Sequence, residues 1–378
     1  MPFARTEGLT EEVTPNSCDV VILGGGPAGC ATALSLRTHA PSLSVIIIES
    51  SSYDRPRIGE VLPAVARTFL DHLGIWKAFQ AEHFQSAYST SSIWGQPFRS
   101  ENHFIYSLQG AGWHLDRVRF DAFMAESAAN RDVEIKLAMR ATSVGKSRDG
   151  WHLGLSDGSE IHTRFVVDAT GRNAFFARKA GARAVALDHL AGFARFFTTG
   201  NDAEQGTVIE AFADGWWYTA LNGNSRAAVC MTDVDIARRL GLRDKERWMN
   251  QLSETCWIQR SVMGATLQDT PMICAANSVY LDPVCSTNWL AVGDAACAFD
   301  PLSSQGIVKA LRAGIFASYA IADFLNKSDA VGLARYDRFV RREFSRYKSL
   351  HAEYCGRERR WPDSSFWNRR STLVSSAL

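Results

Sequence analysis

The sequence lacks the patterns that mark metal-binding, disulfide-rich and membrane-spanning proteins. Its eight cysteines form no CxxC pair in 378 residues, which argues against a zinc site and a disulfide framework and predicts reduced thiols. No apolar run reaches the roughly 20 residues that cross a bilayer, and Arg312 and Asp323 interrupt the run over residues 311–325. The N-terminal segment has no apolar signal-peptide core. We therefore predict a cytoplasmic protein without a metal site or stable membrane insertion.

An excess of charge of one sign is also missing. The 41 Lys and Arg residues against 40 Asp and Glu residues leave a net charge of +1, which argues against nucleic acid as a partner. The hydrophobic content of 46% supports a large packed core and excludes overall disorder. At roughly 150 residues per domain, the length predicts two domains.

Two short runs near the N-terminus predict a parallel sheet. Residues 18–23 (CDVVIL) and 44–48 (SVIII) are apolar on both faces, as in the central strands of a parallel sheet. Small residues and good helix formers fill positions 28–40 between them. The order strand, turn, helix, strand predicts a βαβ unit.

The middle of the chain predicts a second sheet. Four runs between residues 191 and 233 are rich in aromatic and β-branched residues and favour antiparallel strands, whereas residues 289–292 return to a buried-strand pattern. We therefore predict a mixed α/β fold: a Rossmann-like domain interleaved with an antiparallel-sheet substrate domain, followed by a helical C-terminal segment. The predicted parts are a disordered leader (1–16), the discontinuous Rossmann-like domain (17–80, 110–180 and 275–330), the substrate domain (81–109 and 181–274) and the basic helical tail (331–378).

The first run is followed by a glycine-rich turn. Residues 24–29 (GGGPAG), called the glycine turn below, fit GxGxxG, which lets the backbone approach a pyrophosphate at the N-terminus of a helix. Glu49 follows Gly29 by 20 residues at the end of the second strand, where a carboxylate binds ribose hydroxyls. Because an acid there repels a 2′-phosphate, the pattern predicts a dinucleotide such as NAD or FAD rather than NADP.

A second informative stretch lies far along the chain, at residues 290–311. Asp294 follows a buried strand, where its carboxylate could accept hydrogen bonds from sugar hydroxyls. A loop containing Pro301, Ser304 and Gly306 then leads into a helix, whose N-terminus offers N–H donors to an anionic group. No second GxGxxG occurs, so a separate nicotinamide domain is not expected.

These motifs together resemble the flavoprotein monooxygenase superfamily, which includes p-hydroxybenzoate hydroxylase and the flavin-dependent halogenases. Residues 57–63 (RIGEVLP) are similar to the GExLxP segment of the halogenase-like branch, and residues 168–172 (DATGR) to another superfamily element. In residues 114–121 (HLDRVRFD), Arg117 matches an arginine that reaches the FAD phosphates. The resemblance implies an FAD domain of the p-hydroxybenzoate hydroxylase and glutathione reductase type.

The resemblance and the two loops supply the candidate FAD-binding residues. They are Gly24, Gly26, Pro27, Ala28, Gly29, Glu49, Ser50, Arg57, Gly59, Glu60, Arg117, Asp168, Gly171, Gly293, Asp294, Pro301, Gly306 and Ile307. Two of them have a plain structural alternative, since Asp168 could cap a turn and Glu60 could cap the next helix. Pro301, Ser304 and Gly306 are also the candidate catalytic loop beside the flavin ring.

Two departures from the halogenase pattern bear on the reaction. The segment that carries a lysine in halogenases corresponds to residues 83–94 (HFQSAYSTSSIW), which contain none. Where halogenases have WxWxIP, this chain has residues 215–221 (GWWYTAL). Without the lysine, chlorination is disfavoured, and Trp216, Trp217 and Tyr218 become candidates for lining a substrate cavity, although such aromatics also serve as core.

The C-terminal region resembles a narrower group. Residues 354–362 (YCGRERRWP) and 366–370 (FWNRR) are similar to the tails of LodB/GoxB-type flavoproteins, maturases encoded beside quinone-bearing amino-acid oxidases. This resemblance implies that reduced FAD and O₂ oxygenate a tryptophan of a partner oxidase precursor during tryptophylquinone formation. The electrons would come from NAD(P)H or from a separate reductase.

Other functions and surfaces stay open from the sequence. The flavoprotein could hydroxylate small aromatic molecules, halogenate its substrate, reduce lipid chains or act as a scaffold. Residues 336–370 hold ten Lys and Arg against five Asp and Glu. This excess fits either a docking face for an acidic partner or an ordinary solvated surface.

Overall fold

The computed structural model describes residues 16–55, 57–59, 61–103, 110–200, 206–268 and 270–375. The predicted leader, apart from Asn16, and the candidate residue Glu60 lie outside the described residues. Within the described ranges the fold is mixed α/β, which confirms the predicted class.

The strands of the described residues number 22. In chain order they are β1 (Asn16–Leu23), β2 (Val45–Ile48), β3 (Val61–Leu62), β4 (Gln85–Ala87), β5 (Ser89–Ile93), β6 (Ser100–His103), β7 (Gly112–His114), β8 (Glu134–Lys136), β9 (Ala141–Ser147), β10 (Gly150–Leu155), β11 (Glu160–Asp168), β12 (Arg183–Ala186), β13 (Leu190–Thr198), β14 (Thr207–Phe212), β15 (Gly215–Asn222), β16 (Ser225–Asp233), β17 (Thr266–Leu267), β18 (Met272–Ala275), β19 (Val279–Asp282), β20 (Cys285–Ser286), β21 (Trp289–Ala291) and β22 (Cys297–Ala298).

Eleven α-helices accompany these strands in the described part of the chain. They are α1 (Pro27–His39), α2 (Ala66–His72), α3 (Trp76–Ala81), α4 (Arg117–Ala129), α5 (Phe175–Lys179), α6 (Val234–Leu240), α7 (Lys245–Ser253), α8 (Trp257–Ser261), α9 (Gly306–Lys327), α10 (Val331–Arg357) and α11 (Ser365–Ser375).

The first large sheet contains the predicted βαβ unit. Its parallel strands run in the order β21–β11–β1–β2–β8, with β20 and the antiparallel β10 and β9 added to it. Helix α1 connects β1 to β2, and its small residues allow close packing against α9. At Gly314 of α9, a Cβ would stand only 2.6 Å from the carbonyl oxygen of Ala28. The packing therefore brings the start of α1 beside a helix nearly 300 residues later.

The second large sheet is the predicted antiparallel one. Its strands run β17–β13–β16–β15–β14–β5–β6, and β18 pairs with β13. All neighbours are antiparallel except β14 and β5. Side chains alternate between its two faces, as the period of a strand requires. One face packs on α7 and α8, and the other on the C-terminal helix α11. The precise domain boundaries stay a prediction.

Two small three-stranded sheets complete the described strands. One has the order β3–β7–β4, and the other has the order β12–β19–β22. The second of these places β22 at the entrance to the loop that precedes α9. All eight cysteines are free thiols.

The basic C-terminal segment forms α10 and α11, but much of its charge is paired. Five of its ten basic side chains make ion pairs with acids: Arg341, Arg357, Arg360, Arg369 and Arg370. Arg370 and its partner Asp233 are both buried. The pairing fits a tail that packs on the rest of the chain, and it weakens the case for a docking face.

Candidate cofactor and substrate cavity

A cavity of about 870 Å³ lies where the two large sheets meet. Its wall includes the glycine turn, the segment around Arg57, the DATGR segment and the loop before α9. The loop over residues 299–306, called the proline loop below, borders the same space. A volume of this size suits a cofactor-sized ligand.

The cavity collects most of the candidate residues from distant parts of the sequence. Those that line it are Gly24, Gly26, Pro27, Ala28, Glu49, Ser50, Arg57, Gly59, Arg117, Gly171, Asp294, Pro301, Ser304, Gly306, Ile307, Trp216 and Tyr218. Gly29, Asp168 and Gly293 stand directly behind the wall, and Trp217 points elsewhere.

The glycine turn is shaped by backbone contacts. Gly24 has a φ of +111°, and a Cβ there would stand 2.3 Å from the carbonyl oxygen of Ala169 on the neighbouring segment. A Cβ on Gly29 would stand 2.0 Å from the carbonyl oxygen of Gly24. At Gly26, by contrast, the described residues leave at least 4 Å free around the same position. The turn is thus tight against the protein and open toward the cavity, as close approach of a pyrophosphate requires.

The carboxylate of Glu49 ties the glycine turn to the end of β2. Its Oε2 accepts a 2.7 Å hydrogen bond from the backbone N–H of Gly25, and its Oε1 accepts one of 2.6 Å from the Ser51 hydroxyl. Tyr53 donates its hydroxyl to the Gly25 carbonyl at 2.8 Å. Glu49 therefore holds the turn while its side chain still borders the cavity, where a ribose hydroxyl could share the carboxylate.

Two arginines are positioned at the cavity by one buried acid. Asp121 receives Nη1 of Arg57 at 2.8 Å and Nη2 of Arg117 at 3.2 Å. Arg117 also donates from Nη1 to the carbonyl oxygen of Ile58 at 3.0 Å. Both guanidinium groups border the cavity, and planar guanidinium groups suit phosphate binding. Asp121 is a supporting residue at the end of the segment 114–121, and it was not among the candidate residues.

Asp168 makes hydrogen bonds within its own segment, which is the turn-capping role that the sequence left open beside FAD binding. Its Oδ1 accepts hydrogen bonds from the backbone and hydroxyl of Thr170, at 3.0 and 2.6 Å, and its Oδ2 accepts one of 2.8 Å from the Ala177 N–H. Burial is the largest influence on the pKa of Asp168 and raises it, against the lowering effect of these donors. The side chain thus fixes the path of the DATGR segment, whose next residues line the cavity.

The Asp294 region packs on the start of α1 and borders the cavity. Gly293 has a φ of +60°, and a Cβ there would stand 2.7 Å from Cβ of Ala28, so this strand end packs directly on the start of α1. Asp294 Oδ1 accepts a 2.7 Å hydrogen bond from Nζ of the buried Lys309, and 38% of its side chain remains exposed. Burial favours a higher pKa for Asp294, but Lys309 and then Arg172 outweigh it and lower the pKa. Asp294 is therefore an ionised acceptor that faces the cavity.

The N-termini of α1 and α9 both point into this one space. Neither has a side-chain cap, and the first residues of each helix border the cavity. Uncapped N–H groups with the helix dipole attract anions. Ser304 turns the chain with a φ of +49°, and the described residues leave open space beside Gly306. The residues therefore fit FAD, because one N-terminus suits its pyrophosphate and the other suits the anionic ring of its reduced form.

The three aromatic candidates divide between the two faces of the antiparallel sheet. Trp216 and Tyr218 line the cavity from β15. The Trp217 ring lies on the other face, with its centre 5.0 Å from that of Trp248. The prediction that Trp217 lines the cavity is wrong, because successive side chains of a strand point to opposite faces. Met231 and Met272 complete the apolar wall beside Trp216.

Several residues of the site were not among the candidate residues chosen from the sequence. Arg172 spans the cavity wall, donating at 2.9 Å to the Phe299 carbonyl while it stands 3.7 Å from Asp294. Lys309 is buried in α9. A lysine within the apolar run of this helix was the sequence signal that could have identified it. His351 contacts Asp300 from 51 residues away, and no local pattern reveals such a pairing.

Within the described ranges, His, Cys, Asp and Glu side chains form no group of three that could hold a metal ion. Every helix in this part of the chain is too short or too polar to cross a membrane.

Comparison with known proteins agrees with this site. A family model described as tryptophan halogenase matches residues 19–107 and 96–376. LodB of Marinomonas mediterranea, named as an FAD-dependent oxidoreductase, is 31% identical over 362 residues, covering 94% of this chain and 97% of LodB.

Two solved structures share the fold. The flavin-dependent halogenase CmlS has a TM-score of 0.83 at 24% identity, covering 96% of this chain and 70% of CmlS. The peptidyl tryptophan dihydroxylase QhpG, described as essential for tryptophylquinone cofactor biogenesis, has a TM-score of 0.75 at 22% identity, covering 94% of this chain and 79% of QhpG. The match of the family model and of LodB over nearly the whole length is decisive: the chain belongs to the tryptophan halogenase family of FAD-dependent oxidoreductases.

Proposed function

We propose that this flavoprotein is a monooxygenase that oxygenates a tryptophan side chain of a partner oxidase precursor during tryptophylquinone formation. The observation that carries the proposal is the near full-length similarity to LodB, joined to a cavity that has nucleotide-binding features on one side and an apolar aromatic wall on the other. QhpG, which shares the fold, acts on a peptidyl tryptophan by its description. A cytoplasmic location belongs to the same proposal.

The balance of the reaction is simple. When bound and reduced, FAD activates O₂ for transfer of one oxygen atom. That atom enters a C–H bond of the indole as a hydroxyl group, and the other oxygen leaves as water. The two electrons come from a reduced nicotinamide or from a separate reductase, and the two protons come from that donor and from solvent.

The wall formed by Trp216, Tyr218, Met231 and Met272 suits an indole. Its side chains are large and apolar, and they exclude water from the space opposite the two helix N-termini. Attack on an electron-rich ring needs position and desolvation more than an acid or base. The wall would therefore orient the indole, while the N-termini of α1 and α9 hold the cofactor.

Pro301, Ser304 and Gly306 remain the candidate loop beside the flavin ring. All three border the cavity, and Ser304 and Gly306 lie at the uncapped start of α9. In this proposal, the free backbone N–H groups of Gly306 and Ile307 at the start of α9 stabilise negative charge on the reduced ring, and Pro301 and Ser304 shape the loop that leads to them. The roles of individual candidate residues, including FAD contacts, are part of the proposal.

Halogenation is the second candidate, and the family model favours it. Against it stands the cation content of the cavity: among the described residues that line it, the cationic side chains are arginines. Lys309 is near, but its Nζ is buried against Asp294 and the carbonyl oxygen of Cys297. A lysine free to hold a hypohalous acid is therefore missing from the described wall.

Intact mass spectrometry of a partner tests the proposal. The flavoprotein, FAD, a reductant system, O₂ and bromide would be incubated with an oxidase precursor, with parallel samples lacking flavoprotein or reductant. We expect the precursor to gain the mass of one or two oxygen atoms only in the complete mixture. Replacement of hydrogen by bromine would establish halogenation, whereas an unmodified precursor together with turnover of free aromatics or isoprenoid lipids would establish a small-molecule enzyme.

A matched pair of variants localises the substrate side. Trp216→Phe changes the cavity wall, and Trp217→Phe changes the closed core on the other face of the same strand. We expect precursor oxygenation to slow in the first and to persist in the second at temperatures where both are folded. Equal oxygenation by the two variants would contradict the proposal that the Trp216 wall binds the substrate.

A further inference from the structure

Helix α10 contacts the first two residues of the proline loop, Phe299 and Asp300. The Tyr347 ring stacks on the Phe299 ring with centres 4.2 Å apart and planes 3° apart. The Tyr347 hydroxyl accepts a 2.9 Å hydrogen bond from the backbone N–H of Asp300. One turn later, His351 Nε2 stands 2.9 Å from Oδ2 of Asp300. Three different kinds of contact therefore join α10 to this point.

The Asp300–His351 pair is almost completely removed from solvent. The exposed fraction of the side chain is 2% for Asp300 and 10% for His351. Asp300 Oδ1 accepts a 2.9 Å hydrogen bond from Leu302 N–H and so caps the short 3₁₀ turn Pro301–Ser303. A buried carboxylate is costly without a counter-charge. An imidazolium at His351 supplies that charge.

Other groups complete the surroundings of the pair. The Tyr347 hydroxyl also contacts the Ser278 hydroxyl at 2.6 Å, and Cys355 Sγ lies 3.6 Å from Nε2 of His351. Arg370 of α11 and Asp188 carry charges that act on this region. At Phe299, Arg172 donates to the carbonyl oxygen, and Nζ of Lys309 lies 4.4 Å from the centre of the ring. The network joins α10, α11 and the segment before β19 to the loop that lines the cavity.

We propose that His351 and Tyr347 are positioning residues for the flavin, and that the His351–Asp300 pair sets the reduction potential of the bound cofactor. Asp300 borders the cavity, and so do most of the residues that follow it, namely Pro301, Ser303, Ser304, Gly306 and Ile307. An uncompensated carboxylate at Asp300 would repel the anionic ring of reduced FAD, whereas the paired one does not. The inference rests on the flavin placement given in the proposed function.

The test uses the FAD-bound full chain and its midpoint potential. His351→Gln keeps a side chain of similar length but removes the positive charge, so we expect FAD to remain bound with a more negative potential. Asp300→Asn combined with His351→Gln restores a neutral hydrogen-bonded pair and is expected to return the potential toward that of the wild type. Arg341→Gln, which breaks an exposed ion pair on the same helix, serves as the matched control and should leave the potential unchanged.

Two outcomes overturn the inference. One is an unchanged potential in the single His351→Gln variant, and the other is a potential in the double variant that stays as low as in the single one. Should His351→Gln fail to fold, Tyr347→Phe removes the acceptor for Asp300 N–H and the contact with the Ser278 hydroxyl, and it keeps the ring that stacks on Phe299. Faster amide exchange in residues 299–304 of the apoprotein is then expected, with the glycine turn unchanged, and equal exchange in both proteins would count against positioning.

This result is separable from the proposed function. A shifted potential with an unmodified oxidase precursor would retain the positioning role and reject tryptophan oxygenation. An unshifted potential with a modified precursor would reject the positioning role and retain tryptophan oxygenation.

Discussion

The glycine turn and the proline loop border one cavity, yet they are held in place in different ways. The glycine turn is shaped mainly by its own βαβ unit, with Glu49 and Tyr53 bonded to Gly25 and with Ala169 of the adjoining strand end against Gly24. The proline loop is held by Tyr347 and His351, which come about 50 residues later.

The difference separates a site that a short sequence encodes from one that tertiary packing encodes. In the glycine turn, the shape comes from residues without side chains, so few substitutions are compatible with it. In the proline loop, the sequence of the loop itself is permissive, and its geometry depends on α10 and α11. Variants should therefore damage the two loops independently.

The largest effect is expected from Arg370→Met, which leaves Asp233 buried with only Arg369 as a partner. Breaking a buried ion pair in this way costs about 4 kcal/mol of unfolding free energy. Amide exchange should rise in α11 and in the proline loop and stay low in the glycine turn. Arg369→Ala, at a pair whose arginine is 45% exposed, is the control, with a loss of about 1 kcal/mol or less. Similar losses for both variants would contradict the importance of burial.

The next effect concerns pH. Burial opposes a charge on His351, but its hydrogen bonds to Asp300 and Cys355 and the charge of Asp300 raise its pKa to about 10. A raised pKa means that the pair stabilises the fold fully below the unfolded pKa of 6.5 and loses this contribution as pH rises through 10. Urea unfolding should show the wild type losing about 3 kcal/mol more than His351→Gln between pH 7 and 10. Other charged or titratable groups lie around the pair, namely Arg370, Asp188, Tyr347, Cys355, Arg172 and Lys309.

Parallel pH curves for the two proteins would show that His351 does not carry the charge. The glycine turn provides the internal comparison, because its contacts involve backbone groups, Glu49 and the hydroxyl of Tyr53, whose pKa is raised by burial above its usual value of 10.0. The protection of its amides against exchange should therefore stay the same between pH 7 and 10.

A smaller loss is expected from Gly29→Ala. Its Cβ would stand 2.0 Å from a backbone oxygen that cannot move without shifting the glycine turn. We expect about 2 kcal/mol of destabilisation and a loss of FAD binding, measured by thermal unfolding and flavin fluorescence. Gly26→Ala is the control, since its Cβ enters open space: stability should change by about 0.5 kcal/mol or less, while FAD binding weakens. Wild-type FAD affinity in Gly26→Ala would exclude close contact between Gly26 and the cofactor.

The smallest effect separates the two faces of β15. Trp217→Phe should lower the unfolding free energy by about 1 kcal/mol, because its ring packs in a closed cluster with Trp248. Trp216→Phe should cost less, since part of its surroundings is cavity. Denaturant unfolding measures both, and a larger loss at position 216 would contradict the assignment of faces.

The parts that sequence reasoning predicted are those with local causes. The glycine turn, its flanking strands and Asp294 follow from short patterns whose geometry is nearly independent of the rest of the chain. The antiparallel strands follow from their composition and alternation. Family resemblance supplied the FAD assignment, which the comparisons confirm.

The parts that were missed depend on tertiary packing. Trp217 was assigned to the cavity because three adjacent aromatics do not reveal which one faces inward until the register of the sheet is known. Asp121, Lys309 and His351 act through partners that are distant in sequence or buried by another element. Long-range pairing of this kind leaves no periodic signal in a single sequence.

The contacts of α10 with the proline loop form only after the C-terminal part of the chain has been synthesised. His351 leaves the ribosome 51 residues after Asp300, a delay of roughly 3–10 s at about 5–20 residues per second. During that interval the βαβ unit has all of its own strands, but the proline loop does not yet have its contacts with Tyr347 and His351 of α10. We therefore expect tight binding of FAD to follow the docking of α10 on the proline loop.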